Sequence, residues 1–235
     1  MKKYFAMSIA FFGVLFGVSS KLTCKFFNNY FFFNKISVQG YPGFQKEKGC
    51  IIISNHNHFT DASLIKQYID SYLVVQSDKI DDYGFLFKHI FNRVCRVYQA
   101  IPYQRGDEKS GKIVKNIISN LITENKNVLV FPEGACQKNS HQGLLPLKKG
   151  IFHLSYEKKI PMIITTIDYD DENFGTCRSE PINLNKILSG KTNVSLIFHC
   201  KVNPINFLSF DEYYSFCQNY LNYVFIEKMT LLKIR

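Results

Sequence analysis

Short apolar runs alternate with longer amphipathic stretches along most of the chain. The apolar runs predict strands at Cys50–Ser54, Tyr72–Gln76, Asn127–Phe131, Met162–Asp168 and Ser195–Val202. The stretches between them predict helices at Asp61–Ile69, Tyr83–Arg96, Glu108–Glu124, Gly150–Glu157 and from after Ser209 to about Lys228. This alternation is typical of an α/β fold with a mainly parallel sheet flanked by helices.

The N-terminus departs from this alternation. The segment Tyr4–Ser20 carries no charge, and as a helix it would span about 25 Å, slightly less than a hydrocarbon core of about 30 Å. A second apolar stretch, Phe26–Phe33, has the Phe and Tyr content of an interfacial segment. Three interpretations are open for the first segment: a cleaved signal peptide, a single transmembrane span, and an anchor that lies in the membrane interface.

Cysteine usage and charge narrow these alternatives. The seven cysteines are odd in number, widely spaced and contain no C-x-x-C, so a reducing compartment and an uncleaved anchor are favoured. Lys21, Lys25 and Lys35 follow the apolar run, and this charge bias favours a following domain that faces the cytosol. A turn-rich boundary then separates the anchor and interfacial segment, residues 1–39, from one domain, residues 40–235.

The net charge of +10 would suit nucleic acid or an anionic membrane surface. The sequence has no zinc-finger, RNA-binding or basic-helix pattern, and its lysines are dispersed, so nucleic acid is not expected as a partner. An anionic membrane surface and anionic substrates fit better.

The candidate chemistry begins with a histidine and an aspartate that follow the first predicted strand. His56 and Asp61 are separated by a spacing at which neither a helix nor a strand brings two side chains together. A tight turn from strand to helix does, and there the carboxylate can hold one imidazole nitrogen while the other acts as a base. The plainer alternative is a helix-capping aspartate beside a loop histidine.

A second predicted strand, Asn127–Phe131, also ends in a turn. Pro132 is excluded from a central strand, and Gly134 permits a backbone conformation that other residues avoid. Glu133 lies between them, either as a site residue or as an ordinary solvated acid.

In order and spacing, these segments resemble the glycerolipid acyltransferases, whose best-known members are the 1-acylglycerol-3-phosphate (lysophosphatidic acid) acyltransferases. Asn55-His56 through Asp61 resembles the family's first block, N-H-x4-D, and Arg105 resembles the arginine that closes the second. Phe131-Pro132-Glu133-Gly134 resembles the start of the third block, F-P-E-G-T-R-S. Lys148-Lys149-Gly150 resembles the K-x-G that follows, and Pro161 the proline of the fourth block.

The resemblance implies a membrane-bound O-acyltransferase of phospholipid synthesis or remodelling. It would move a fatty acyl group from acyl-CoA or acyl carrier protein to the hydroxyl of lysophosphatidic acid or a related lysophospholipid, with no metal and no other cofactor. His56 would be the general base, oriented by Asp61; such a base typically contributes ~10²–10⁴ in rate. Arg105 would bind the acceptor's phosphate. Glu133 and Gly134 would bind substrate, with backbone N–H groups of their turn as donors to the oxyanion.

The chain departs from the family pattern in the third block. Ala135-Cys136-Gln137 stands where the family has T-R-S, so the arginine associated with the acceptor's phosphate is absent. Lys138 is predicted to replace it as a point charge. His58 occupies a position that is commonly serine.

Two other functions fit parts of this pattern. His56, His58 and Asp61 resemble the H-x-H-x-D-H of metallo-β-lactamase-like zinc hydrolases, although the aspartate falls one position late and Ala62 replaces the last histidine. A catalytically inactive, membrane-anchored lipid-binding protein would explain the missing arginine, but not the retention of both His56 and Asp61.

We expect residues 4–20 to remain on the mature protein and to hold it on the membrane. Intact mass and N-terminal sequencing should recover this segment. Alkaline carbonate should leave the protein with the membrane, because buried apolar surface resists extraction better than charge attraction does. A chain that begins near Lys21, or full release by carbonate, would contradict the anchor.

Overall fold

The computed structural model describes residues 20–29, 33–58, 60–76, 95–96, 98–135, 144–170 and 192–233. Three predicted features lie wholly or largely outside these residues: the anchor, the helix at Tyr83–Arg96 and Lys138. Within the described part of the chain, no helix is both long enough and apolar enough to cross a bilayer.

The described strands form one sheet. They are β1 (Phe33–Gly40), β2 (Ile51–Ser54), β3 (Tyr72–Gln76), β4 (Ala100–Tyr103), β5 (Val128–Val130), β6 (Met162–Tyr169) and β7 (Thr192–Val202). Their order across the sheet is β1-β7-β6-β2-β5-β3-β4. The strands β2 to β6 are parallel to one another, whereas β7 is antiparallel to β6 and β1 is parallel to β7. The predicted mainly parallel sheet is confirmed.

Helices cover both faces of this sheet, as predicted. Those described are α1 (Ser20–Phe27), α2 (Asp61–Lys66), α3 (Glu108–Thr123), α4 (Gly150–Lys158) and α5 (Phe210–Lys233). α2 packs on one face, while α3, α4 and α5 pack on the other.

The central strand β2 is buried on both sides. Ile52 packs with Leu64 of α2, and Ile51 and Ile53 pack with Phe152 of α4 on the opposite face. Since a central parallel strand has no solvent face, its sequence is a continuous apolar run. Each such side chain contributes about 1.5–3 kcal/mol by its removal from water. This burial fixes the point at which the chain leaves the sheet toward the candidate site.

Two edge strands, β1 and β4, are not predicted from the sequence. β1 begins at Phe33, which is buried, and continues through a short, half-exposed stretch in which only Ile36 and Val38 are apolar. Residues 33–39 therefore belong to the sheet, although the sequence assigns them to the interfacial segment; where the domain begins stays a prediction. Pro102 lies in β4, where an edge position tolerates its missing N–H.

Because β2, β5 and β6 are parallel neighbours, their carboxyl ends meet at one edge of the sheet. The turns that carry His56 and Glu133 both start there. Crevices at this edge are where open α/β sheets bind their ligands.

Candidate active site

The turn after β2 starts at Asn55, whose side chain bonds to the neighbouring strand β6 as a backbone peptide would. The Asn55 amide donates from Nδ2 to the Ile167 carbonyl at 2.7 Å, and its Oδ1 accepts the Ile167 N–H at 2.7 Å. These two bonds copy the pairing of a backbone peptide, so the side chain extends the contact between β2 and β6 while the main chain turns away. His56 therefore leaves the sheet at a defined position.

Asp61, the first residue of α2, is fully buried, and its carboxylate accepts hydrogen bonds from the turn that precedes it. Its Oδ2 accepts the Nδ1–H of His56 at 2.9 Å and the backbone N–H groups of Asn57 at 2.7 Å and His58 at 2.8 Å. The hydroxyl of Tyr169 donates to Oδ1. Charge-assisted bonds of this kind compensate the burial of the charge. The same bonds close the turn that separates His56 from Asp61 in sequence.

His56 is placed as a base would be. The carboxylate oxygen beside Nδ1 favours the tautomer with the proton on that nitrogen, which leaves the lone pair on Nε2. The ring stacks on Phe131, with centroids 4.1 Å apart and planes inclined by 17°. The side chain is 20% exposed, so a substrate can approach it. The predicted strand–turn–helix contact is therefore present, and the catalytic roles of His56 and Asp61 stay predictions.

Glu133, which follows β5, is a buried residue rather than a solvated loop acid. One carboxylate oxygen accepts the backbone N–H of His56 at 2.7 Å, and the other accepts that of Leu145 at 2.8 Å. Only 3% of the residue is exposed. The carboxylate thus joins the β5 turn to the β2 turn, and direct binding of substrate by Glu133 stays a prediction.

Gly134 adopts a positive φ of 67°, as expected for the sharp turn. Its N–H donates to the Phe131 carbonyl at 3.0 Å, so this predicted oxyanion donor is already used within the turn. Arg105, an exposed side chain beyond β4, donates from Nη2 to the Gly134 carbonyl. A Cβ on Gly134 would lie 3.0 Å from that nitrogen, but the exposed Arg105 side chain can move away, so the positive φ is the reason for glycine here.

The structure therefore connects five of the six predicted site residues through direct contacts, in the order Arg105, Gly134, Glu133, His56 and Asp61. The sixth, Lys138, lies outside the described residues.

Three residues at the site are not predicted as site residues from the sequence. Phe131 carries the His56 ring, Tyr169 bonds Asp61, and the Lys148 side chain passes 3.8 Å from the position of a Cβ on Gly134. Lys148 belongs to the K-x-G motif, which signals its place near the third block. Phe131 ends one predicted strand and Tyr169 directly follows another, and nothing in a strand pattern distinguishes them from core residues.

His58 is buried and contacts its own turn. Its Nδ1 lies 2.6 Å from the Thr60 hydroxyl and accepts the Thr60 N–H at 3.3 Å. Burial lowers the pKa of His58 to about 4, although the nearby Asp61 opposes this shift. Among the described residues, no three His, Cys, Asp or Glu side chains are grouped to hold a metal. Both Asp61 oxygens accept hydrogen bonds from the protein, and this arrangement gives the metal-hydrolase alternative no support.

Comparison with known proteins identifies the same region. A family model described as acyltransferase matches residues 35–167. The 1-acyl-sn-glycerol-3-phosphate acyltransferase alpha of Ovis aries is 25% identical over 141 residues, which cover 58% of this chain and 46% of the relative. The putative 1-acyl-sn-glycerol-3-phosphate acyltransferase acl-1 of Caenorhabditis elegans is 27% identical over 177 residues, 68% of this chain and 64% of the relative. The chain thus spans about half the length of the mammalian relatives it matches.

The fold is also similar to a solved structure. The 1-acyl-sn-glycerophosphate (LPA) acyltransferase PlsC from Thermotoga maritima superimposes with a TM-score of 0.63 over 93% of this chain and 78% of that one. The two sequences are 18% identical, so this likeness concerns the fold alone.

We expect His58 to make the stability of the protein depend on pH. Its pKa is about 4 when folded against 6.5 for an ordinary histidine, so between these values the unfolded chain binds the extra proton. The stabilising contribution is complete above pH 6.5 and is lost as the pH falls toward 4. Between these limits the free energy of unfolding should fall by roughly 3 kcal/mol.

The measurement is denaturant unfolding across this pH range for the wild type and for His58→Asn, which keeps an acceptor for Thr60. The variant should lack this part of the pH dependence. Parallel curves for the two proteins would contradict the assignment.

Proposed function

This chain belongs to the acyltransferase family, and we propose that it moves a fatty acyl group from an acyl thioester to the hydroxyl of a lysophospholipid. Lysophosphatidic acid is the proposed acceptor, because the relatives that match are named for acylation of 1-acylglycerol 3-phosphate. The observation that carries the proposal is the contact between His56 and the buried Asp61 at the edge where β2, β5 and β6 end.

The chemistry follows from that contact. Nε2 of His56 removes the proton of the acceptor hydroxyl as its oxygen attacks the carbonyl carbon of the thioester. The tetrahedral intermediate collapses with cleavage of the C–S bond, and the imidazolium returns its proton to the departing thiolate. Asp61 keeps its negative charge throughout and stabilises the imidazolium. The acyl group passes directly to the acceptor, without an acyl-enzyme.

The acceptor's phosphate is proposed to bind beside the turn that contains Gly134. Arg105 lies against this turn, and its guanidinium offers several parallel donors, which suits a phosphate. Lys138 is proposed as the second charge, and the Lys148 stem passes the same glycine. These cations would together compensate for the arginine that is absent at Cys136.

The donor and the membrane belong to the proposal as well. We propose acyl-CoA or acyl carrier protein as the donor, reached from the cytosol, and an anionic membrane surface as the place of reaction. The net charge of +10 supports attraction to such a surface.

The alternative of an inactive lipid-binding protein predicts no need for a base. A buried carboxylate that accepts four hydrogen bonds and fixes one imidazole favours the enzyme, because a binding site for lipid alone gains nothing from that tautomer.

Replacement of the base should remove acyl transfer without unfolding the protein. We expect His56→Ala to lower the rate at least about a hundredfold, and Asp61→Asn to cost nearly as much, because the base loses its orientation. The assay is transfer from labelled acyl-CoA to lysophosphatidic acid in vesicles, with folding checked by circular dichroism.

The matched control is His153→Ala. This histidine stacks on Phe210 at 3.7 Å on the opposite face of the sheet, so its loss should leave transfer intact. A folded His56→Ala protein with most of its activity would refute the role of His56.

Removal of Arg105 should weaken acceptor binding selectively. We expect Arg105→Ala to raise the Michaelis constant for the phosphorylated acceptor about tenfold or more, while that for acyl-CoA changes little. The reason is that the proposed charged hydrogen bonds of Arg105 are to the acceptor's phosphate and not to the donor. Arg96→Ala is the control, since Arg96 is exposed and precedes β4, at the edge opposite the site. An unchanged acceptor constant in Arg105→Ala would exclude this arginine from the phosphate site.

A further inference from the structure

We propose that Tyr169 is a positioning residue for the pair formed by His56 and Asp61. Its hydroxyl holds Oδ1 of Asp61 so that Oδ2 faces the imidazole. The inference rests on the proposed function for its kinetic consequence, whereas its structural part concerns this chain's own residues.

Tyr169 is built into the core beneath the site. It is the last residue of β6 and has no exposed surface. Its ring stacks against Phe33 with centroids 6.1 Å apart and meets the His58 ring edge-on at 6.2 Å. Only its hydroxyl has to reach a polar group, and it reaches the carboxylate of Asp61. A buried tyrosine hydroxyl of this kind needs such a partner.

The position of the hydroxyl is set by strand pairing. Tyr169 pairs with Val194 of β7, beyond the last residues at which β2 pairs with β6. Two residues earlier on the same strand, Ile167 receives both bonds from the Asn55 side chain. β6 therefore holds both ends of the turn between β2 and α2: at Asn55, where the chain leaves the sheet, and at Asp61, where the helix begins.

The carboxylate needs this second anchor. Rotation about the bond that carries an Asp carboxylate is soft, and three of the donors described above converge on Oδ2 alone. A donor on Oδ1 fixes the plane of the group and thus the direction of the bond to His56. Without it, the carboxylate can turn in place while its remaining bonds adjust.

By donating a hydrogen bond, the Tyr169 hydroxyl also offsets part of the negative charge of the Asp61 carboxylate that faces His56. Removal of a donor from Asp61 concentrates charge on the carboxylate, which stabilises the imidazolium and raises the pH at which His56 titrates. Among the described residues, two other titratable groups contact this turn: His58, which burial keeps neutral, and Glu133, whose carboxylate accepts the His56 N–H. The hydrogen bonds described above for these two groups do not involve the tyrosine hydroxyl.

The test is Tyr169→Phe, which deletes one oxygen and keeps the ring. We expect kcat for acyl transfer to fall about tenfold with the Michaelis constants within about twofold, and the acid limb of the pH–rate profile to move up by roughly half a unit. Nitrogen NMR of labelled histidine should show the same upward movement in the titration of His56. This second readout does not need activity.

Tyr213→Phe is the matched control. Tyr213 is equally buried and its hydroxyl contacts the Ser155 hydroxyl at 2.7 Å, but it lies on the other face of the sheet. Tyr213→Phe should lose about as much stability as Tyr169→Phe, but it should leave kcat and the His56 titration unchanged. Phe33→Leu, which loosens the ring packing but keeps the hydroxyl, should likewise leave the titration in place.

The outcomes separate the two proposals. Absence of transfer by the wild type would refute the proposed function, and Tyr169 would then be judged by the His56 titration alone. A titration and pH profile that are unchanged or moved down in Tyr169→Phe, or the same change in Tyr213→Phe, would overturn the positioning role.

Discussion

The site depends on the burial of one carboxylate. Asp61 has no contact with solvent, and a buried charge is tolerated only when donors replace the water it has lost. Its donors come from the turn that precedes it and from the end of β6. The requirement to satisfy this group therefore determines the path of the turn, the tautomer of His56 and the approach of a neighbouring strand, all at once.

Glu133 repeats this principle at the next strand. Its two oxygens accept the backbone N–H groups of His56 and of Leu145, so a second buried carboxylate holds His56 from its main-chain side. Phe131 completes the support by stacking beneath the imidazole. His56 is thus held through its ring nitrogen, its ring face and its backbone, whereas Arg105 remains exposed at the rim of the site.

The extent to which sequence predicts this arrangement follows from which interactions are local. β2 and its turn are predictable because a fully buried strand is a continuous apolar run and because His56 and Asp61 can meet only across a tight turn. β1 and β4 are not, since edge strands are half exposed and Pro102 contradicts a strand pattern. The burial of Glu133 and the bond from Tyr169 depend on contacts between distant segments, and a sequence pattern carries no sign of them. The family motif locates Glu133 without revealing that its carboxylate binds backbone rather than solvent.

Asp61 should fix which nitrogen of His56 carries the proton, because its carboxylate accepts only from a protonated Nδ1. Nitrogen NMR of histidine-labelled protein reports this directly, with the His56 signals assigned by their loss in His56→Gln. Above the titration of His56, we predict a protonated Nδ1 and an unprotonated Nε2 in the wild type, and a loss of this preference in Asp61→Asn. A wild-type His56 that carries its proton mainly on Nε2 would rule out its proposed role as the base, because that nitrogen could not accept the proton of an acceptor hydroxyl.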